Sequence, residues 1–479
     1  MLAERGFLRR VGGSWLLDRA GELPLPESVQ GIIAARLDTL APQDKALLQD
    51  AAVLGTVGWL GALAAVAEGE PFALEARLHA LDRRAFVRRE HRSAVAGERQ
   101  YAFRHVLVRD VAYGQLPRAV RADKHRRAAE WLEAVSPDRA EDRAELLAHH
   151  WQQAFKFARV AGQDTTMLAD RARLALRDAG DRALDLNAFA AAARWYAAAL
   201  ELWPTGDAER PQVLLRLGRA RVYAEQTGGD LLVEARDGLL TTGDREAAAE
   251  AEALLGQLTR WQGQGEQSLE HGRRAAALLE GSEPSHAKVF ALVNLSGCLM
   301  QSGRNEEAIR VGRQALTLAD ELDLPSLLAR AYASIGGARA YSGDAGGAAD
   351  FEQALAIAVE ANSPFSANAY SNLASCVIAL GDLARGFELQ AKGREAAERF
   401  GLANDLRHFQ AERVLEDYWR GRWGAAVVGA DRFIADTARG ARHFMEDVCR
   451  LVRGRIRLAR GDLRGALEDA AADVELGRQ

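Results

Sequence analysis

The chain has 479 residues and a formal net charge of −5, with 62 Lys and Arg against 67 Asp and Glu. This length exceeds what one hydrophobic core usually fills, so we expect several domains or an array of repeats. The nearly balanced charge excludes a general attraction to nucleic acid or to a membrane surface, and a 48% hydrophobic content is ordinary for a folded protein.

The first residues predict no secretory leader, because "MLAERGFLRR" carries charges where such a leader is apolar. They are typical of the last turn of a helix that ends at Gly6. The most apolar run, 188–203, is interrupted by Arg194 and Glu201 and is too short to span a bilayer. We therefore expect a cytoplasmic protein.

Three helices are predicted before residue 82. The first opens at Glu27 or Ser28. The second has Pro42 at its first position and ends at Gly55, and the third covers 72–81. Two short strands, "RAFVRRE" and "RQYAF", then follow across the polar linker "HRSAVAG". Three helices followed by a two-stranded wing predict a winged-helix domain, with the third helix in the position that reads DNA in such domains.

Helical patterns continue after the wing. Residues 106–113 predict one helix, Pro117 begins another, and 140–157 predict a third. The pair His149–His150 lies in this last helix. Adjacent helical positions point about 100° apart, so we expect one histidine in the core and one on the surface, not a metal site.

Residues 83–127 are strongly basic, with 12 Arg and one Lys against four acids, a local net charge of +9. Such a surface could meet DNA or nucleotide phosphates. The alternative is a solvated, arginine-rich surface in a chain that uses 57 Arg and only 5 Lys. The predicted third helix favours the alternative, because it offers only Arg77 and His79 in a mostly apolar run.

The last two-thirds of the chain repeats at intervals of 38 to 40 residues. One glycine marks each unit, and a small residue follows it five places later in every case. The glycine would take the left-handed turn that ends one helix, and the small residue would let the next helix approach closely. The glycines are Gly263, Gly303, Gly343, Gly381, Gly421 and Gly461, and Asn187 holds the same position two periods before the first.

A helical hairpin cannot bury both of its faces alone, so these units are expected to stack into an α-solenoid. The pattern resembles tetratricopeptide-like repeats in a longer, 38–40-residue form. That resemblance implies a concave face that binds a protein or a small effector. The predicted fold class is therefore all-α with one small β wing, a winged-helix domain followed by a solenoid of about 40-residue helix-turn-helix repeats.

Residues 1–160 carry a second resemblance. "LPLPESVQGIIAARLDTLAPQDKALLQDAAVLG" followed by "ALDRRAFVRRE" and "YAFRHVLVRDVAYGQLPRAVRADKHRRAAEWLE" resembles the region after the ATPase core in bacterial signal-transduction ATPases with numerous domains (STAND), such as the MalT-like activators and the ATPase modules of class III adenylate cyclase fusions. The resemblance implies a lid end at 1–27, a winged-helix-like domain at 28–115, linking helices at 116–175 and a repeat solenoid at 176–479.

In that family a histidine at the start of the winged helix's last helix contacts the β-phosphate of ADP. The matching run here is "RHVLVRDVA", in which His105 takes the place of the histidine, with Arg104 and Arg109 on either side. The resemblance thus implies a nucleotide-sensing role for these three residues. Arg104 and Val106 stand where the family has Met and Asp. The alternative is that His105 is packed at a domain junction.

The sequence holds no recognisable catalytic or metal-binding constellation. No G-x-x-x-x-G-K-[ST] phosphate loop occurs, and the three cysteines, Cys298, Cys376 and Cys449, have no metal-ligand spacing. We therefore expect no enzyme activity and no cofactor in this chain, with ATP or ADP and Mg bound only if the missing core is present.

Three functions remain open. The first is the regulatory and sensor portion of a multidomain signalling ATPase. The second is a free-standing repeat scaffold for protein–protein interaction, and the third is a DNA-binding winged-helix transcription regulator. For the first function, we expect this chain to be a fragment of a longer protein. A protein or small effector on the concave face is the expected partner, and nucleic acid or a membrane is not.

Overall fold

The computed structural model describes residues 8–11, 14–17, 27–135, 143–440 and 443–476. The chain divides into two compact units, Met1–Ala175 (unit 1) and Leu176–Gln479 (unit 2). The helix end expected at Gly6 lies outside the described residues. Residues 8–11 and 14–17 form two antiparallel strands, with Leu8 paired to Leu17.

Unit 1 combines helices with two small sheets. Its strands are β1 (Leu8–Val11), β2 (Ser14–Leu17), β3 (Val57–Trp59), β4 (Val87–Arg89) and β5 (Gln100–Phe103). Its helices are α1 (Glu27–Asp38), α2 (Pro42–Leu54), α3 (Leu60–Ala67), α4 (Pro71–Arg83), α5 (Val106–Gly114), α6 (Arg118–Ala134) and α7 (Ala144–Val160).

The two predicted wing strands pair in antiparallel fashion, with Val87 opposite Phe103. Besides β1 and β2, the structure adds two elements that the sequence pattern did not predict, β3 and α3. Strand β3 joins the far side of β5, giving the order β3-β5-β4. The helices and this sheet share one core that includes Leu48, Leu81 and Phe86.

Unit 2 is built from helices alone within its described residues. Helix α8 (Thr166–Asp185) crosses the division between the units. The others are α9 (Phe189–Leu200), α10 (Arg210–Glu225), α11 (Gly229–Thr242), α12 (Arg245–Trp261), α13 (Gly265–Leu278), α14 (His286–Gln301), α15 (Asn305–Glu321), α16 (Pro325–Tyr341), α17 (Gly347–Glu360), α18 (Ser366–Ala379), α19 (Leu383–Phe400), α20 (Ala403–Trp419), α21 (Trp423–Ala438), α22 (Glu446–Ala459) and α23 (Leu463–Leu476).

These helices form successive antiparallel pairs, and the fold-class prediction of an all-α solenoid of helix-turn-helix repeats is confirmed. The six turn glycines have φ between +72° and +94°, and Asn187 has φ +56°. A residue with a Cβ is strained in this region, which explains why glycine ends the first helix of each pair. A Cβ on Gly303 would meet nothing within 4 Å, so its role is conformational and not spatial.

The first helices of the repeats also contact one another directly. Helix α12 packs on α10 and α14, helix α16 packs on α14 and α18, and α20 packs on α22. In a curved array the helices on the inner side lie closest together. The first helices therefore form the inner layer of unit 2, and the second helices form its outer layer.

Within the described residues, none of the helices is long and apolar enough to cross a membrane. That part of the chain also lacks any group of three or more His, Cys, Asp or Glu side chains placed to hold a metal ion. Cys298 and Cys449 are buried as thiols, and Cys376 is half-buried.

Candidate functional site

The predicted nucleotide-sensing residues lie at the start of α5. His105 is the N-cap residue, is exposed, and makes no side-chain capping bond. Arg104 donates to Asp82 Oδ1 at 2.9 Å and to the Val87 carbonyl at 3.2 Å. Arg104 therefore ties β5 to α4 and β4.

Arg109 is also held within unit 1. Its Nε donates to the carbonyl of Ala52 on α2 at 3.0 Å, and its guanidinium lies 4.8 Å from the centre of the Tyr113 ring. Both arginines thus have structural partners, whereas the imidazole of His105 faces solvent. Of the three predicted residues, His105 alone presents an uncommitted side chain.

The basic segment 83–127 finds many of its counter-ions elsewhere in unit 1. Lys124 pairs with Asp50 at 2.6 Å, Arg127 with Glu68 at 2.7 Å, and Arg104 with Asp82. On α4, Arg77 pairs with Asp44 at 3.0 Å. These acids reduce the positive potential available to phosphates, and the helix expected to read DNA has its arginine already engaged.

A hydrogen-bonded chain of Tyr113, His125 and His150 joins helices α5, α6 and α7 of unit 1. The Tyr113 hydroxyl lies 2.8 Å from His125 Nε2, and His125 Nδ1 lies 2.9 Å from His150 Nδ1. Burial lowers the pKa of His125, and burial also lowers the pKa of His150 to about 3. His150 is buried while His149 is exposed, as predicted. The link to His125 was not predicted, because it joins separate helices.

A shallow cleft of about 280 Å³ lies between α19 and α20. Its charged lining is already paired. Arg413 and Arg420 contact Glu416 at 3.1 and 2.7 Å, and the Arg420 guanidinium covers the Phe387 ring at 4.9 Å. The cleft therefore offers no unpaired charge from these two arginines.

The inner layer of unit 2 carries polar side chains at a position that repeats along the array. Nine residues before four successive turn glycines stand Asn294, Ser334, Asn372 and Glu412. Asn294, Ser334 and Glu412 are buried, and Asn372 is half-buried. Packing alone would favour apolar residues at these positions. Asn294, Asn372 and Glu412 each form a hydrogen bond with another residue of unit 2.

Two arginines extend into the same layer. Arg330 on α16 donates to Gln257 Oε1 at 3.0 Å and to Asn294 Oδ1 at 3.1 Å, and it lies over the Phe290 ring at 5.2 Å. Arg260, in the last turn of α12, reaches across to α14. A Cβ on Gly297 would lie 3.1 Å from Arg260 Nη1, so the glycine makes room for the guanidinium.

Late repeats enclose this part of the inner layer. Gln226, which caps α10, donates to Asn404 Oδ1 of α20 at 2.7 Å. The backbone N–H of Phe444, before α22, donates to the Trp261 carbonyl at 3.3 Å. Helices α10 and α12 are thereby joined to helices far along the chain, and Arg260 lies within the enclosed space.

The enclosure changes the acidity of the groups inside it. Burial raises the pKa of Asp405 to about 7, against the opposing effect of the positive charge on Arg260. Burial lowers the pKa of His408 to about 4 and that of His443 to about 3. Both histidines are therefore neutral at pH 7, and Asp405 is partly protonated there.

The sequence matches no known family model, and no curated protein matches it. Among solved structures, a STAND protein with a tetratricopeptide repeat sensor from Pyrococcus horikoshii is 12% identical, with a TM-score of 0.43; the match covers 96% of this chain and 66% of that protein. The chain thus spans slightly less than two-thirds of the length of that protein.

Two further solved structures match this chain over almost all of their own length. A Rap protein complexed with Competence and Sporulation Factor is 14% identical, with a TM-score of 0.49 over 75% of this chain and 98% of that one. Aspartyl phosphate phosphatase F from Bacillus subtilis is 13% identical, with a TM-score of 0.39 over 96% of this chain and 97% of that one.

Proposed function

We propose that unit 2 is a receptor that holds a protein segment or peptide against its inner layer. The observation that carries this proposal is Arg260, a guanidinium inside the enclosed layer for which no hydrogen bond or ion pair with a described residue is found. A solenoid that served only as a spacer would gain nothing from an unpaired charge there, because burying a charge without a partner costs free energy.

The test is to select binders from a displayed library of random twelve-residue peptides on the full chain and to measure their affinity. Replacing the half-buried Asn372 by Trp would fill the inner layer, and we expect this variant to lose binding at least tenfold. Gln314→Trp is the matched control, since Gln314 is exposed on the outer helix α15. Equal affinities of the two variants would contradict binding at the inner layer.

For unit 1 we propose a winged helix that couples unit 2 to the nucleotide state of a STAND ATPase core. Two observations support this: the order α2-β3-α3-α4-β4-β5 with a three-stranded sheet, and the exposed imidazole of His105 at the start of α5. ATP or ADP with Mg would be bound by that core. His105 would add a hydrogen-bond donor toward a phosphate, with the helix N-terminus favouring the negative charge.

The reading frame immediately before the Met1 codon tests this second proposal. A phosphate-binding loop encoded there in the same phase would support it. A stop codon in that phase, with no such loop between it and Met1, would refute it, and unit 2 would then be interpreted as a free-standing repeat scaffold.

A further inference from the structure

The guanidinium of Arg260 lies among polar atoms of three inner helices but bonds to none of them. Its own helix is α12, Gly297 of α14 lies beneath it, and a Cβ on that glycine would be 3.7 Å from Ser334 Oγ of α16. The Nε atom is buried and has no hydrogen-bond partner. Among the described residues, none forms an ion pair with Arg260.

The nearest acid in the enclosure does not satisfy this charge. Asp405, in the first turn of α20, is close enough for its pKa to be affected by Arg260, yet it forms no ion pair within 4.0 Å with any described residue. A gap therefore separates the two side chains. The guanidinium keeps its proton, because arginine is not deprotonated in proteins, and its five N–H groups are donors only.

The remaining charged groups leave the enclosure short of negative charge. Arg330 adds a second positive charge and is bonded only to side-chain amide oxygens there. Burial raises the pKa of Glu412, whose carboxylate accepts from Gln390. His408 and His443 are neutral at pH 7. The one carboxylate whose charge acts on Arg260 is thus Asp405, and it is partly protonated.

We propose that the inner layer receives the carboxylate of an acidic peptide, which forms a paired hydrogen bond with the guanidinium of Arg260. This rests on the proposed function of unit 2 and specifies the chemistry of its ligand. A carboxylate matches the planar fork of arginine with two parallel N–H···O bonds, and it supplies the missing counter-charge.

A peptide fits the surroundings better than a free acid does. Beyond Arg260, the repeating polar row continues through Ser334 to Asn372, and Asn372 is bonded in turn to Asn368 on the same helix. Amide and hydroxyl groups both donate and accept hydrogen bonds, so they can pair with the N–H and C=O groups of a peptide backbone. The carboxylate would fix the register, and the row would hold the backbone that follows.

The experiment is selection of twelve-residue peptides from a random displayed library on the full chain, followed by synthesis of the best binder in three forms. One form is unchanged, one has each Asp and Glu replaced by Asn and Gln, and one has an amidated C-terminus. We expect one of the two modified peptides to bind at least tenfold more weakly. Arg260→Met should reduce the affinity for the unchanged peptide at least tenfold, and Arg260→Lys should restore only part of it.

Arg313→Met is the control, because Arg313 is exposed on α15, and it should bind the unchanged peptide normally. Without peptide, the melting temperature of Arg260→Met should equal or exceed that of the wild type, since no hydrogen bond or ion pair with a described residue is lost. Peptides that bind equally well in all three forms, or that bind Arg260→Met normally, would overturn the carboxylate proposal and leave the receptor function standing. Failure to select any peptide would overturn both.

Discussion

At the scale of single residues, glycine serves two different purposes in the solenoid. Gly303 has φ +72° and open space around it, so it is needed for backbone conformation alone. Gly386 has an ordinary φ, but a Cβ there would overlap Ile378 of the preceding helix. The recurring glycine and small residue could both be recognised from the sequence, because each serves a local turn that every repeat contains.

Alanine substitution should separate these two roles. Gly303→Ala should lower the free energy of unfolding by about 1 kcal/mol, the cost of a left-handed residue with a Cβ. Gly386→Ala should cost about 1–3 kcal/mol, since the inter-helix contact must open. Urea denaturation followed by circular dichroism measures both.

Gly424→Ala is the control for this pair. Gly424 lies in the first turn of α21 with open space around it, and alanine there should be neutral or slightly stabilising. A loss of stability in Gly424→Ala as large as that in Gly386→Ala would contradict the steric explanation.

At the scale of elements, the predictions succeeded where polar and apolar residues alternate and failed where they do not. Pro42 and Gly55 mark the ends of α2 as expected. Strand β3 and helix α3 share the run "VGWLGALAAVA", which is apolar on every side and so carries neither the two-residue nor the 3.6-residue period. Both elements pack within the core of unit 1, where no polar face is needed.

The contact between α5, α6 and α7 predicts that unit 1 loses stability in acid. Unfolded histidine takes up a proton near pH 6.5, whereas folded His150 resists protonation down to about pH 3. The unfolded state therefore binds more protons over this range, and the free energy of unfolding falls as the pH falls. At pH 5 the loss from His150 alone is about 2 kcal/mol.

Thermal melts between pH 8 and pH 4.5, followed by the fluorescence of tryptophans that include Trp131 and Trp151, would measure this effect. His150→Gln removes the titrating group and should flatten the dependence on pH. Burial also lowers the pKa of His149, so His149→Gln should reduce the dependence as well. His91→Gln, at an exposed residue outside this contact, is the control and should leave it unchanged. A wild-type melting temperature that is constant across this range would refute the prediction.

At the scale of the whole solenoid, unit 2 differs from a simple stack of neighbours. The pair Gln226–Asn404 and the pair Trp261–Phe444 join helices that are far apart in sequence. Such contacts depend on the curvature accumulated over several repeats, and no local pattern predicts it. This is why the repeating polar row could have been found by aligning the repeats, whereas the approach of Asp405 to Arg260 could not.

Asn404→Ala should destabilise α10 and α20 together, because it removes the hydrogen bond between Gln226 and Asn404 that joins them. The variant leaves the amide of Gln226 without its acceptor, and the loss of this bond should cost about 1 kcal/mol. Hydrogen–deuterium exchange should then quicken in α10 as well as in α20, while α14 stays protected. Asn372→Ala, which removes a bond within one helix, should leave α10 unaffected. If the exchange rate in α10 is unchanged in Asn404→Ala, the Gln226–Asn404 hydrogen bond does not stabilise α10.

The contact between α10 and α20 also limits how many repeats the array could gain or lose. An open solenoid can gain or lose a repeat by duplication or deletion of its gene segment, because each unit touches only its neighbours. In this chain, an additional 40-residue unit between α12 and α20 would move Asn404 out of reach of Gln226 and carry Asp405 away from Arg260. The number of repeats between these helices is therefore fixed by the contact that closes them.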